Sequence, residues 1–109
     1  MPTALPIVDC CRSLAAPSLT DHDAAQLERV FKAIADRHRL KILNLLLRAG
    51  DEQVCVCELQ DLLALPQSNV SYHLRQLVDA GILVREKRGT NAYYGLAPGV
   101  LDQVRALLA

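Results

Sequence analysis

The sequence predicts a mainly α-helical domain that carries one small β-hairpin. Three observations point there. Apolar residues return at helical spacing in separate segments from residue 21 to the C-terminus. Apolar residues make up 51% of the chain and aromatics only 4%, so the core must come from aliphatic, leucine-rich helices. A single pair of short strand-like segments flanks Arg88-Gly89-Thr90-Asn91, whose Gly and Asn suit a turn with positive φ. At 109 residues the chain is one domain, and 22% charged residues place it among globular rather than disordered sequences.

Residues 1–19 lack periodicity and hold Pro2, Pro6 and Pro17. They read as a flexible arm, mobile unless something pins it, carrying Cys10 and Cys11. Residues 20–109 form the folded unit. Thr20 with Asp23 makes a helix start, and Leu27, Val30, Phe31 and Ile34 fall at i, i+3, i+4 and i+7, giving a first helix over about 21–35. Asp36 caps a second helix that ends at Gly50, with Leu40, Leu43 and Leu47 as one stripe widened by Ile42, Leu45 and Leu46. Val54 to Cys57 leads into a short helix through Leu59, Leu62 and Leu63, which Pro66 interrupts.

Gln67 to Ala80 is the next helix, with Val70, Leu74, Leu77 and Val78 inward and Gly81 as its stop. Two short helices about a tight turn, the second polar and basic outside, make a helix-turn-helix. The strands Leu83 to Lys87 and Ala92 to Leu96 then form a wing beside it. The tail from Pro98 has the stripe Val100, Leu101, Val104, Leu107 and Leu108; one domain of this size has little core left for it, so the stripe should face a second copy.

Lys plus Arg and Asp plus Glu number 12 each, so any nucleic-acid surface must be local. The charges do segregate: the balance is +5 over Arg29 to Arg48, +2 over Gln67 to Tyr94, and −4 over Asp51 to Asp61. In the DNA reading, Gln67, Ser68, Ser71, His73 and Arg75 reach the major groove, where Arg and Gln pair bidentately with G and A edges. Lys87 and Arg88 at the wing tip meet phosphate or the minor groove.

Four Cys would suggest two disulfides in a secreted chain, but the N-terminus lacks a basic start and an apolar core for export. No segment approaches the roughly 18 apolar residues of a membrane span. A cytoplasmic location is expected, where clustered Cys point to metal or redox chemistry. In Cys55-Val56-Cys57 an extended backbone points both thiols to one side, whereas a regular helix sets them about 200° apart and chelation there would unwind its start. Thiolates select soft ions.

Val30-Phe31-Lys32-Ala33-Ile34-Ala35-Asp36, Arg39-Leu40-Lys41-Ile42-Leu43, Gln67-Ser68-Asn69-Val70-Ser71-Tyr72-His73-Leu74 and Ala80-Gly81-Ile82-Leu83 together resemble the ArsR/SmtB family of metal-sensing repressors over about residues 20–109. Asn69 stands where that family usually has Pro or Thr. The resemblance implies a homodimeric winged helix-turn-helix, paired through its first and last helices, that reads double-stranded operator DNA with an inverted repeat until a toxic ion binds. Cys55-Val56-Cys57 is similar to the inducer motif of arsenic, cadmium and lead sensors, but Gln60 stands where the third Cys of some arsenic sensors lies.

Cys10-Cys11 resembles the adjacent pair in the arms of other arsenite sensors. The implied inducer is arsenite or antimonite, held by Cys55 and Cys57 with Cys10 or Cys11, in one subunit or across two. Cadmium or lead bound by all four thiols is the alternative, and disulfide-based redox sensing is a third reading. The family's His and carboxylate site on the last helix has no counterpart, because residues 98–109 hold no His and only Asp102. His22 and His38 are expected at the surface. No catalytic series or Gly-rich phosphate loop supports an enzyme.

Overall fold

The computed structural model describes residues 11–108. Helix α1 (Asp21–Ile34) begins in a full capping box, in which the Thr20 hydroxyl accepts from the Asp23 amide at 3.1 Å and the Asp23 carboxylate accepts from the Thr20 amide at 3.2 Å. Leu27, Val30 and Ala33 are its buried stripe, with Phe31 and Ile34 half-buried beside them.

Helix α2 (Arg37–Ala49) begins at Asp36, whose Oδ1 accepts from the amides of His38 at 2.8 Å and Arg39 at 3.2 Å. It stops at Gly50, where φ is +66° and a side chain would be strained. Two otherwise orphaned first-turn amides therefore depend on one carboxylate. Asp36→Ala should cost about 1 kcal/mol of stability and Asp36→Asn only a fraction of that, read as urea midpoints at neutral pH. Equal losses in the two variants would show that the cap is not what Asp36 contributes.

The inward face of α2 differs from the expected stripe. Ile42 and Leu46 are its buried centre, Leu43 and Leu45 flank them, and Leu40 and Leu47 remain 52% and 45% exposed. Apolar residues occupy so much of this helix's circumference that periodicity alone does not select the phase; packing against α1 and the elements that follow does.

Strand β1 (Val54–Cys55) joins the helices to a three-stranded antiparallel sheet of order β1-β3-β2, with β2 at Leu83–Arg88 and β3 at Asn91–Leu96. The expected hairpin is present and gains a third strand, since Val54 pairs with Tyr94 and Cys55 with Tyr93. Pairing runs out to Arg88 and Asn91, so the turn shrinks to Gly89-Thr90, and Gly89 rather than Asn91 takes the positive φ, at +62°. Helices α3 (Val56–Leu63) and α4 (Gln67–Asp79) fill the space between β1 and β2 in the chain.

Helix α5 (Val100–Leu108) starts after Gly99, two residues later than expected, and its stripe divides. Val100 and Leu107 enter the domain's own core, whereas Leu101 and Leu108 stay 50% and 60% exposed. The Leu14 amide donates to the Leu107 carbonyl at 2.8 Å, which ties the end of the arm to α5. No helix among the described residues is long and apolar enough to cross a membrane.

Candidate nucleic-acid interface and thiol pair

Helices α3 and α4 form the helix-turn-helix, joined by Ala64 to Pro66 with Ala64 in the left-handed region at φ 53°. Leu59 and Leu63 anchor α3, while Val70, His73, Leu74 and Leu77 anchor α4. That stripe leaves Gln67, Ser68, Asn69, Tyr72 and Arg75 exposed and Ser71 half-buried along the outer side of α4. No side chain caps the N-terminus of α4, which begins after Pro66, so the positive end of the helix stands beside Gln67 and Ser68. Arg75 has no ion-pair or hydrogen-bond partner among the described residues and is available to a ligand.

His73 departs from its expected place among the groove-reading residues. It is buried at 8% exposure, and its Nδ1 accepts a hydrogen bond from Arg39 Nε at 3.1 Å. Positions 70, 73, 74 and 77 share one helical face, so the spacing that turned Val70, Leu74 and Leu77 inward applies equally to 73. Burial, with Arg39 and His38 adding to it against the pull of Asp36, holds this imidazole below its ordinary value.

The wing also divides. Lys87 and Arg88 are both exposed, but the Arg88 guanidinium lies 4.6 Å over the Tyr93 ring and donates to Gln53 Oε1 at 2.8 Å, with Glu86 Oε1 at 3.3 Å. Arg88 is thereby linked to the residue two positions before Cys55. Sequence reasoning missed Arg39 and Gln53, whose partners lie 34 and 35 positions away, and Tyr93, which meets Arg88 only once the hairpin sets the two together.

Cys55 and Cys57 straddle the β1–α3 junction. Cys55 is the last residue of β1 and the N-cap of α3, with φ −68° and ψ 144°, and its buried sulfur accepts from the Cys57 amide at 3.3 Å. Cys57 is exposed, and its thiol is raised above its ordinary value first by the hydrogen bond with the Cys55 thiol. The two sulfurs therefore already lie together. The splaying expected for a regular helix does not arise, because the first Cys keeps extended geometry, and α3 need not unwind for both to face one ligand.

The donor set suits a soft, thiophilic ion but is incomplete within the described residues, where no group of three or more His, Cys, Asp or Glu gathers as a metal site. Cys11 is half-buried against the core and disulfide-bonded, so it needs reduction before it can act as a ligand. Cys10 lies outside the described residues.

Residues 36–84, from the α2 cap into β2, match the model of the bacterial regulatory protein, arsR family. The chain is 44% identical over 82 residues to the arsenical resistance operon repressor of Bacillus subtilis (strain 168), covering 75% of this chain and 73% of that one. It is also 44% identical over 79 residues to an arsenic resistance transcriptional regulator of Pseudomonas putida, covering 72% of this chain and 60% of the relative.

Among solved structures, the AntR antimony-specific transcriptional repressor superposes with a TM-score of 0.67 at 28% identity, over 86% of this chain and 81% of that chain. The homodimeric winged helix-turn-helix DNA-binding domain of a possible ArsR-family regulator from Mycobacterium bovis gives 0.65 at 28% identity, over 84% and 85%.

Proposed function

The chain belongs to the ArsR family of bacterial regulatory proteins, and from that premise we propose that it is a homodimeric repressor of arsenical resistance, released from an inverted-repeat operator when arsenite or antimonite binds its thiols. The observation that carries this reading is the pairing of Cys55 and Cys57 at the start of α3, the helix packed against α4. Arsenite and antimonite take three sulfurs in a pyramid, and the third is assigned to Cys10 or Cys11, which couples the arm to the inducer. The names of similar proteins, an arsenical resistance operon repressor, an arsenic resistance regulator and an antimony-specific repressor, support the same class of ligand.

Arsenite at neutral pH is arsenous acid, so each thiol that binds forms an As–S bond as an As–OH bond breaks, and the thiol proton leaves with that hydroxide as water. Cys55 caps α3, and its strand partner Tyr93 lies under the Arg88 guanidinium. Movement of Cys55 thus reaches α4 through α3 and the wing through β1 and β3. By linkage, inducer and DNA weaken each other's binding by one common factor.

The test is operator binding by the reduced dimer during titration with arsenite. The unchanged chain should lose affinity by about 5- to 150-fold, the usual range of such coupling. Cys55→Ser and Cys57→Ser should bind DNA normally and ignore arsenite, and single replacements of Cys10 and Cys11 identify the third ligand. Normal release of both α3 variants by arsenite would remove the thiol pair from the site. Release by oxidant without any response to arsenite would replace the reading with redox sensing.

A further inference from the structure

One part-buried polar cluster, centred on the buried His73, lies outside the thiol pair and outside the exposed face of α4. The Arg39 guanidinium donates from Nη1 to the carbonyls of Lys32 at 3.3 Å and Ala33 at 3.2 Å, at the C-terminal end of α1, and from Nε to Nδ1 of His73 on α4 at 3.1 Å. Those carbonyls belong to the last turn of α1, where acceptors lack helical partners and a cation complements the helix dipole. Arg39 itself stands in the first turn of α2, its amide held by Asp36. Three helices therefore meet at one guanidinium.

The other anchors of α4 are the apolar Val70, Leu74 and Leu77, whose contacts are non-directional. The bond to His73 is directional and sits at mid-helix, flanked in sequence by Ser71, Tyr72 and Arg75. We propose that the Arg39–His73 hydrogen bond is the joint that sets the orientation of α4 on DNA, making Arg39 and His73 positioning residues whose uncoupling, by substitution or by protonation of the imidazole, weakens operator binding. The proposal rests on the reading of α4 as the DNA-binding helix.

Accepting from Arg39 requires a lone pair on Nδ1, so the proton of the neutral ring is on Nε2. A proton added at Nδ1 sets donor against donor and cation against cation. The charged groups facing the ring are Asp36, with Oδ1 at 3.9 Å, and Arg39, while the His38 ring centroid is 5.4 Å away and the Tyr72 ring packs edge-on at 5.5 Å. Asp36 favours the protonated ring; burial, Arg39 and His38 oppose it.

The sign follows from that balance. Above about pH 6.5 the imidazole is neutral whether the joint is made or broken. As pH falls below that value, the broken state takes up the proton first, and the made state loses ground progressively until the lowered value of the joined imidazole is reached.

The experiment measures binding of the reduced dimer to duplex DNA spanning its own promoter, by fluorescence anisotropy from pH 7.5 down to 5.5 at constant ionic strength. The unchanged chain should weaken about 10-fold or more across this range. His73→Asn, whose amide oxygen stands close to the place of Nδ1 and does not titrate, should bind within about 3-fold of the unchanged chain at pH 7.5 and lose most of the acid decline. His73→Leu, which fills the space without an acceptor, should bind at least about 10-fold more weakly at pH 7.5.

Equal pH slopes for the unchanged chain and His73→Asn would overturn the proposal, as would failure of Asn to restore affinity or a well-folded His73→Leu that binds normally. If His73→Leu does not fold, the slope of His73→Asn alone decides. Absence of binding by the unchanged chain at pH 7.5 would refute the DNA reading, and the joint with it.

Discussion

Leu59→Ala should lower the stability of the domain by about 3–4 kcal/mol, the cost of a Leu-sized hole that its surroundings refill poorly. Leu59 is 0% exposed and belongs to α3, which packs on α2, α4, β1 and β3, so rigid elements surround the site and limit collapse. For a domain whose total stability is about 5–15 kcal/mol, this is a large fraction. Leu62→Ala on the same helix is the control, because Leu62 is 46% exposed and its removal should cost well under 1 kcal/mol. Urea denaturation of the reduced protein compares the two. Similar midpoints would mean that α3 does not present the face described here.

Arg75→Ala should nearly abolish operator binding while leaving the fold intact. A bidentate arginine contact to guanine is worth about 1–3 kcal/mol. In a symmetric dimer it is lost from both half-sites, so about 2–6 kcal/mol, or roughly 30-fold to 10⁴-fold in affinity, should disappear. Lys87→Ala supplies the contrast: a phosphate contact at the wing should weaken all sequences alike and reduce the salt dependence by about one unit per subunit. Anisotropy titrations on operator and scrambled duplexes at several salt concentrations separate the two effects. Uniform loss of affinity for both duplexes in Arg75→Ala would make that residue a phosphate contact, and no loss would take it out of the interface.

Much of this was legible locally. The capping box at Thr20, the Asp36 cap, the Gly50 stop and the hairpin all stand where short-range pattern placed them, because each is encoded by residues within one helical turn or one tight turn. The Cys-Val-Cys motif was equally plain as a pair of thiols. Its geometry was not, since the chain uses the junction between an extended and a helical backbone, with Cys55 extended and Cys57 helical. Two residues of pairing with β3 make that junction, and those partners lie about forty positions away in the sequence.

His73 shows the opposite failure. Its residue type suggested a DNA contact, while its spacing from Val70 and Leu77 already pointed inward. A buried polar group needs only a partner, and Arg39 supplies it. In α2 neither signal could choose, because leucines on most sides of the helix leave its rotation to the neighbours it meets.

Read alone, the chain of residues establishes a leucine-cored helical domain with a hairpin wing, a helix-turn-helix whose second helix is polar outside, an acidic link, and thiols in the arm and before α3. These follow from periodicity, capping and charge, which act over a few positions. The folded structure settles which face of α2 is inside, turns His73 from the groove to Arg39 across 34 positions, and joins Arg88 to Gln53 across 35. Such pairings form only when packed helices and strands bring distant segments together, so no local pattern encodes them.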